Sequence, residues 1–363
     1  MPEPPGDSAS LPSSMAALAS LPKIDLHRHL EGSLRLSSLR EVALAHDLGL
    51  PAATLGDLRP YVQIAGEEHS FRNFLDKFNV LRRFYRSPEI IRRLAYEVVE
   101  DAALDNVRYL ELRFTPPALA NCQNYPLDEV TDWVIAAVAL ACRDHPSIQV
   151  KLIVSVNRHE PVEVAEQVVQ IAVDRKAQGI VGLDLAGDEV NYPAEPFRGV
   201  FRAAREAGLG LVAHAGEWTG AAAVQDAIEH LGAQRVGHGV RVVEDPSVAA
   251  LARERGVVFE VCLTSNLHSG VIQRLADHPL RAMMGLRLLT TLNTDDPSIS
   301  DITLGDEYAA MVRDLGFSLG DVQQSILTAA GCAFLPPAAR AELAEQCRVA
   351  MGWAGAPTTA TPA

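Results

Sequence analysis

The sequence is short of cysteine, of aromatic side chains and of positive charge, and it has no long apolar run. Five cysteines (Cys122, Cys142, Cys262, Cys332 and Cys347) are scattered through 363 residues. They are odd in number and never spaced C-x-x-C, which speaks against a disulfide framework and for a reducing compartment, so a cytoplasmic location is expected. The same lack excludes the zinc deaminases that carry an H-x-E and P-C-x-x-C signature. No apolar stretch reaches the roughly 18 residues that a membrane span requires. Glu3 and Asp7 are the only charged side chains in the first twenty residues, so a secretory leader with a basic start is not expected. Lys and Arg number 32 against 46 Asp and Glu, a formal net charge of -14. Such a surface repels phosphate backbones and anionic lipid. With aromatics at 6% and no basic patch interleaved with them, neither nucleic acid nor membrane is an expected partner.

What is present is ordinary for a globular enzyme: 48% hydrophobic and 21% charged residues, in a chain long enough for a large core. Short runs rich in Val, Ile and Leu alternate with helical periodicity, the mark of repeated βα units. Eight strands are predicted: Lys23–His29, Val107–Phe114, Val150–Asn157, Ile180–Ala186, Leu209–His214, Arg235–His238, Val257–Leu263 and Leu288–Thr294. Helical stretches such as Pro161–Gly179 and Pro196–Gly208 open with Pro and close with Gly. The fold class expected is α/β, a (β/α)8 TIM barrel. About 75 residues between the first two strands exceed an ordinary connection; they read as a helical insertion after the first strand, covering the barrel mouth, with helices over Phe71–Phe84 and Pro88–Asp105. One catalytic domain is expected over 21–353, between disordered tails at 1–20 and 354–363.

Barrel enzymes carry their chemistry at the carboxyl ends of the strands. The first strand ends His27-Arg28-His29, two imidazoles on one strand face; alone, such a pair is equally compatible with an incidental placement. The fifth ends at His214, with Glu217 three residues on, past Gly216. The sixth ends Gly237-His238-Gly239, an environment hard to justify by packing. The eighth leads to Asp295-Asp296-Pro297, which alone also fits an Asp-rich turn. The fourth ends Asp184-Leu185-Ala186-Gly187-Asp188-Glu189; its acids are also compatible with a cap on the next segment. Three histidines and a carboxylate suit Zn²⁺ with a water as a further ligand. Phe71, Phe74, Leu75 and Phe78 share one helix face, which spacing alone also allows as buried core.

These ordered blocks, with Leu21–Gly32, Tyr109–Phe114 and Cys262-Leu263-Thr264-Ser265-Asn266, resemble the adenosine deaminase branch of the amidohydrolase superfamily over about Leu21 to Cys347. The resemblance implies one zinc per chain, held by His27, His29, His214 and Asp295. It implies that Glu217 gives a proton to purine N1, that His238 orients or deprotonates the attacking water, and that Asp295 helps hold it. Asp296 would meet N7 and the Gly187 N–H would meet N3. His29 and Glu31 would face the substrate, and Phe71, Phe74, Leu75 and Phe78 would form an apolar lid over it. The implied activity is deamination of adenosine and deoxyadenosine to the inosines and ammonia, by a monomer or small homo-oligomer. Glu31 stands where adenosine deaminases usually carry Asp, as in the adenine deaminase relatives. Adenine, or a modified nucleoside such as aminodeoxyfutalosine, is therefore the alternative substrate. No lysine occurs in Ile180–Gly187, so the carboxylated lysine of binuclear amidohydrolases is not expected.

Overall fold

The computed structural model describes residues 17–353. Eight parallel strands follow one another around a nearly closed barrel: β1 (Lys23–His29), β2 (Val107–Phe114), β3 (Gln149–Asn157), β4 (Ile180–Ala186), β5 (Gly210–Ala215), β6 (Arg235–His238), β7 (Val258–Val261) and β8 (Leu289–Leu292). Past the end of β8 the chain meets β1 again. The His29 N–H donates to the Asp295 carbonyl at 2.8 Å and the Asp295 N–H to the His27 carbonyl at 2.7 Å. Their histidine and aspartate side chains are thereby fixed on neighbouring strands.

The last two strands are shorter than the apolar runs suggest. After Val261 the chain turns at Cys262 into the helix Leu263–His268. After Leu292 the side chain of Asn293 takes over a ladder position, accepting from the Leu26 N–H at 2.9 Å. The expected domain start at residue 21 also moves, because residues 17–20 are helical and Leu18 is buried in the core. The remainder of both expected tails, 1–16 and 354–363, lies outside the described residues. Among the described residues no helix is long and apolar enough to cross a membrane.

The long connection between β1 and β2 holds four helices, α1 (Leu36–Ala45), α2 (Leu55–Val62), α3 (Phe71–Leu81) and α4 (Pro88–Leu104). Local chemistry sets their starts. Ser70 accepts from the Asn73 N–H ahead of α3, and Ser87 from the Ile90 N–H ahead of α4, which begins with Pro. Lys77 ties α3 to α2 through the Pro60 carbonyl at 2.7 Å. The Ile64 N–H donates to the Ile299 carbonyl at 2.9 Å, joining the insertion to the segment after β8. The α3 helix thus lies at the carboxyl end of the barrel.

The barrel interior is charged as well as apolar. Arg113 on β2 pairs with Glu260 on β7 at 2.8 Å and lies 3.4 Å from Asp184 on β4. Arg235 on β6 bonds Glu111 on β2 and sits 2.7 Å from the other Glu260 oxygen. All five are buried. At the opposite end, Phe334 stacks on the Arg235 guanidinium, 3.7 Å from its ring centre.

Candidate active site

Three imidazoles and a carboxylate meet where β1, β5 and the post-β8 turn converge. His27, His29, His214 and Asp295 each offer a ligand atom within 4.8 Å of the others, and all are buried. The Asp295 Oδ1 lies 3.1 Å from His27 Nε2 and 3.3 Å from His29 Nε2. The His29 and His214 Nε2 atoms are 3.3 Å apart. Spacings of that size are the edges of a tetrahedron whose centre lies about 2.0 Å from each atom, the Zn–N distance. The buried His27 Nε2 has no hydrogen-bond partner among the described residues, as befits an atom reserved for a ligand. The residues present therefore fit a small divalent cation with a preference for nitrogen.

The far nitrogens of two of these rings are held by carboxylates. His27 Nδ1 is 2.8 Å from Glu260 Oε2, and His214 Nδ1 is 3.1 Å from Asp184 Oδ1. Such partners fix the ring orientation and leave Nε2 free to ligate. Burial opposes ionisation of both carboxyls, but Arg113 and the imidazoles outweigh it, holding Asp184 and Glu260 well below the usual carboxylate range. Gly237 makes room for the rings: a Cβ there would stand 2.9 Å from His27 Cε1 and 3.2 Å from His214 Cγ. That accounts for the first glycine of Gly237-His238-Gly239.

Backbone strain gathers at the same place. His238 has φ 57° and Asp295 φ 61°, left-handed conformations that non-glycine residues adopt at a cost of order 1–3 kcal/mol each. These turns direct His238 Nε2 toward Glu217 Oε2 at 3.5 Å and Asp295 Oδ2 at 3.8 Å. Asp295 Oδ2 accepts from Ser265 Oγ at 2.6 Å.

Glu217 sits on the turn after β5. The side chain of Glu189 holds that turn, accepting from the backbone N–H groups of Gly216, Glu217, Trp218 and Thr219. Burial, with Asp295 and Glu189 nearby, pushes the Glu217 carboxyl well above its ordinary value. Burial and the neighbouring Asp295 and Glu31 do the same to Asp296. Burial thus favours the neutral acid form of both, the form able to donate a hydrogen bond. Asp296 is also crowded against Gly32, where a Cβ would come within 1.7 Å of its Oδ1.

Three of the four candidate ligands, all but His27, border a cavity of 350 Å³, within the range of small-molecule sites. His29, Glu31, Gly187, His214, Glu217, His238, Asp295 and Asp296 line it, as do Phe74, Leu75 and Phe78 from α3. Phe71 does not: its ring packs 5.6 Å from that of Trp218, which takes the wall position. The first turn of α3 simply begins beyond the rim. Glu31 is buried, its Oε1 accepting from the Thr115 N–H at 2.7 Å and its Oε2 without a hydrogen-bond partner among the described residues. Burial pushes its carboxyl up to about 7. Sequence reasoning missed Arg82, His159 and Tyr192, which also line the cavity. It also left Glu189 as a possible cap, because only the fold brings Glu189 to the Glu217 turn.

A family model described as adenosine deaminase matches residues 22–350. A curated adenosine deaminase of Klebsiella pneumoniae subsp. pneumoniae is 39% identical over 334 residues, covering 92% of this chain and 99% of that one. The crystal structure of an adenine deaminase from Arthrobacter aurescens has a TM-score of 0.83 at 26% identity, covering 91% of this chain and 98% of that one. A Burkholderia ambifaria amidohydrolase with bound Zn has a TM-score of 0.83 at 28% identity, with 93% of each chain covered.

Proposed function

The chain belongs to the adenosine deaminase family and is a hydrolytic deaminase, and from that premise we propose that it converts adenosine and deoxyadenosine to the inosines and ammonia with one Zn²⁺ held by His27, His29, His214 and Asp295. The observation that carries this reading is geometric: the buried Glu217 carboxyl lines one cavity with His29, His214 and Asp295, which cluster with His27. Adding water at C6 of a purine requires the ring to accept an electron pair, and a proton at N1 makes that possible. Glu217 supplies the proton. Zinc, when bound, lowers the pKa of a water enough to make it a nucleophile near neutral pH. Zn bound in the Burkholderia structure supports that metal.

The other roles belong to side chains and backbone of this chain. Asp296, protonated, donates to N7. The Gly187 N–H donates to N3. His238 and Asp295 face the attacking oxygen and hold it. Phe74, Leu75 and Phe78 cover the ring and keep bulk water out. One C–O bond forms at C6, the exocyclic C–N bond breaks, and the nitrogen leaves as ammonia.

A second reading concerns the sugar side. Arg82 lines the cavity, and its buried Nε has no partner among the described residues. That favours a modified nucleoside whose substituent carries an anion, such as aminodeoxyfutalosine. The ultraviolet spectrum of zinc-loaded protein with adenosine, adenine and aminodeoxyfutalosine in parallel separates the cases. Conversion of adenosine with adenine untouched is the expected result. Adenine alone would mean a base-only pocket shaped by Glu31. Strong preference for the modified nucleoside would assign Arg82 to its anion. No turnover of any of the three by protein holding zinc would overturn the substrate.

A further inference from the structure

Behind His238 runs a chain of hydrogen bonds whose direction is set at its far end. His278, buried just ahead of the helix Leu280–Gly285, has its Nδ1 3.0 Å from the backbone N–H of Leu280. A backbone N–H can only donate, so Nδ1 is an acceptor and carries no hydrogen. The one proton of the neutral ring is then on Nε2, which lies 3.1 Å from the Asn266 Oδ1. Asn266 is fully buried on the helix Leu263–His268. Its oxygen accepts from His278, so its other arm must be the NH₂ group. That Nδ2 lies 3.1 Å from His238 Nδ1. A primary amide nitrogen donates and does not accept.

We infer that Asn266 and His278 are positioning residues that keep the hydrogen of neutral His238 on Nε2, the nitrogen facing the reacting atoms. The proposal rests on the reading of His238 as part of the deamination site. Its consequence is specific. Toward Glu217 Oε2 at 3.5 Å and Asp295 Oδ2 at 3.8 Å, His238 presents an N–H and no lone pair. Of the two roles open to it, orienting the attacking water or deprotonating it, the relay leaves orienting: the ring holds an oxygen by donating to it. An Nδ1 that accepts from the Asn266 NH₂ carries no hydrogen, so the ring holds one hydrogen only, on Nε2, and is neutral.

The relay also explains a buried polar pair that the chemistry does not otherwise use. His278 and Asn266 are neither among the four candidate ligands nor among the residues that line the cavity. Each still satisfies its partner in sequence order, from a main-chain amide to the site histidine. An apolar pair of the same shape would fill the space without fixing any proton.

The test begins with full-length, zinc-loaded protein carrying ¹⁵N-histidine. Two-bond proton–nitrogen spectra distinguish a ring protonated at Nε2 from one protonated at Nδ1, and the His238→Gln variant identifies the His238 signals. The expected pattern is Nε2–H with bare Nδ1; a proton on Nδ1 overturns the proposal. This reading needs no substrate, so it stands or falls independently of the adenosine assignment. The second arm is Asn266→Asp, nearly the same shape. Its carboxylate still accepts from His278 but now offers an acceptor to His238 Nδ1, drawing the hydrogen to the wrong side. Its kcat should fall about 10²-fold or more, the size of a lost acid–base or orienting contact, with KM within a few-fold and zinc content unchanged. Wild-type kcat in that variant overturns the positioning role. If the variant does not fold, the wild-type spectrum still decides.

Discussion

Glu217 and Asp296 are acids whose surroundings favour the neutral form, the one that the proposed donor roles require. Burial with Asp295 close by raises both carboxyls well above the ordinary value. The prediction for Glu217 follows from that neutrality. Glu217→Gln keeps shape and hydrogen-bond capacity but cannot release a proton to N1. Its kcat should fall about 10²- to 10⁴-fold, while bound metal, measured by atomic emission, stays at the wild-type level. Loss of metal in this variant would mean that Glu217 is a ligand and that the role assignment is wrong. At this scale much was legible beforehand. His27, His29, His214 and Asp295 sit at the ends of predicted strands, where barrel chemistry is expected, and the structure brings all four together. The side chains that orient them were not legible as partners. Glu260 holds His27 from a position 233 residues away in sequence, and no local pattern marks such a contact.

The turn Gly216–Thr219 has no regular structure of its own, yet it carries the proposed proton donor. Its backbone N–H groups are held by one side chain on the loop after β4. The Glu189 carboxylate accepts from four consecutive backbone N–H groups, at distances from 2.5 to 2.9 Å. Removing it in Glu189→Ala leaves those groups to water or to nothing, at about 1–3 kcal/mol for each one that stays buried and unpaired. The variant should unfold at a lower temperature and lose kcat well beyond any change in KM, since the Glu217 carboxyl drifts while the cavity walls remain. Thermal melts and steady-state kinetics on the same preparation read both effects. Unchanged kcat would show that the turn holds Glu217 without Glu189. Elements were legible from periodicity to within a few residues: β1, β2, β4 and β6 have the expected bounds. The ends of β7 and β8 were not: Cys262-Leu263 stay apolar after the chain has turned into a helix, and at Asn293 a side chain takes the place of the backbone in the ladder. The lid helix was legible as one apolar face. Which residues of that face reach the cavity depends on how α3 is tilted, and Phe71 falls to Trp218 instead.

Across the whole molecule, buried charge links the barrel to its stability as well as to its chemistry. Glu111, Asp184 and Glu260 in the barrel interior lie against arginines, whereas Glu307, on the helix Leu304–Arg313, has no arginine partner among the described residues. It is fully buried and accepts from the N–H groups of Leu263 at 2.7 Å and Thr264 at 3.0 Å, holding the start of the helix that carries Ser265 and Asn266. Burial outweighs those hydrogen bonds and raises its carboxyl to about 7 from an ordinary 4.5. Between those two values the folded protein holds a proton that the unfolded chain has released. Its stabilising contribution is therefore fully present below about pH 4.5 and is lost as the pH rises to about 7. At about 1.4 kcal/mol per pKa unit, the whole effect amounts to roughly 3 kcal/mol. Glu307→Gln cannot titrate, so the comparison of wild type with this variant isolates the group from every other ionisation. Denaturant unfolding at pH 5.5, 6.5 and 7.5, with zinc present throughout, should show the wild type losing ground to the variant as the pH rises. The offset between them at any one pH reports the poorer amide fit and is a separate matter. Two stability curves that run parallel over this interval would mean that Glu307 is ionised in the folded protein, its two backbone donors having outweighed its burial.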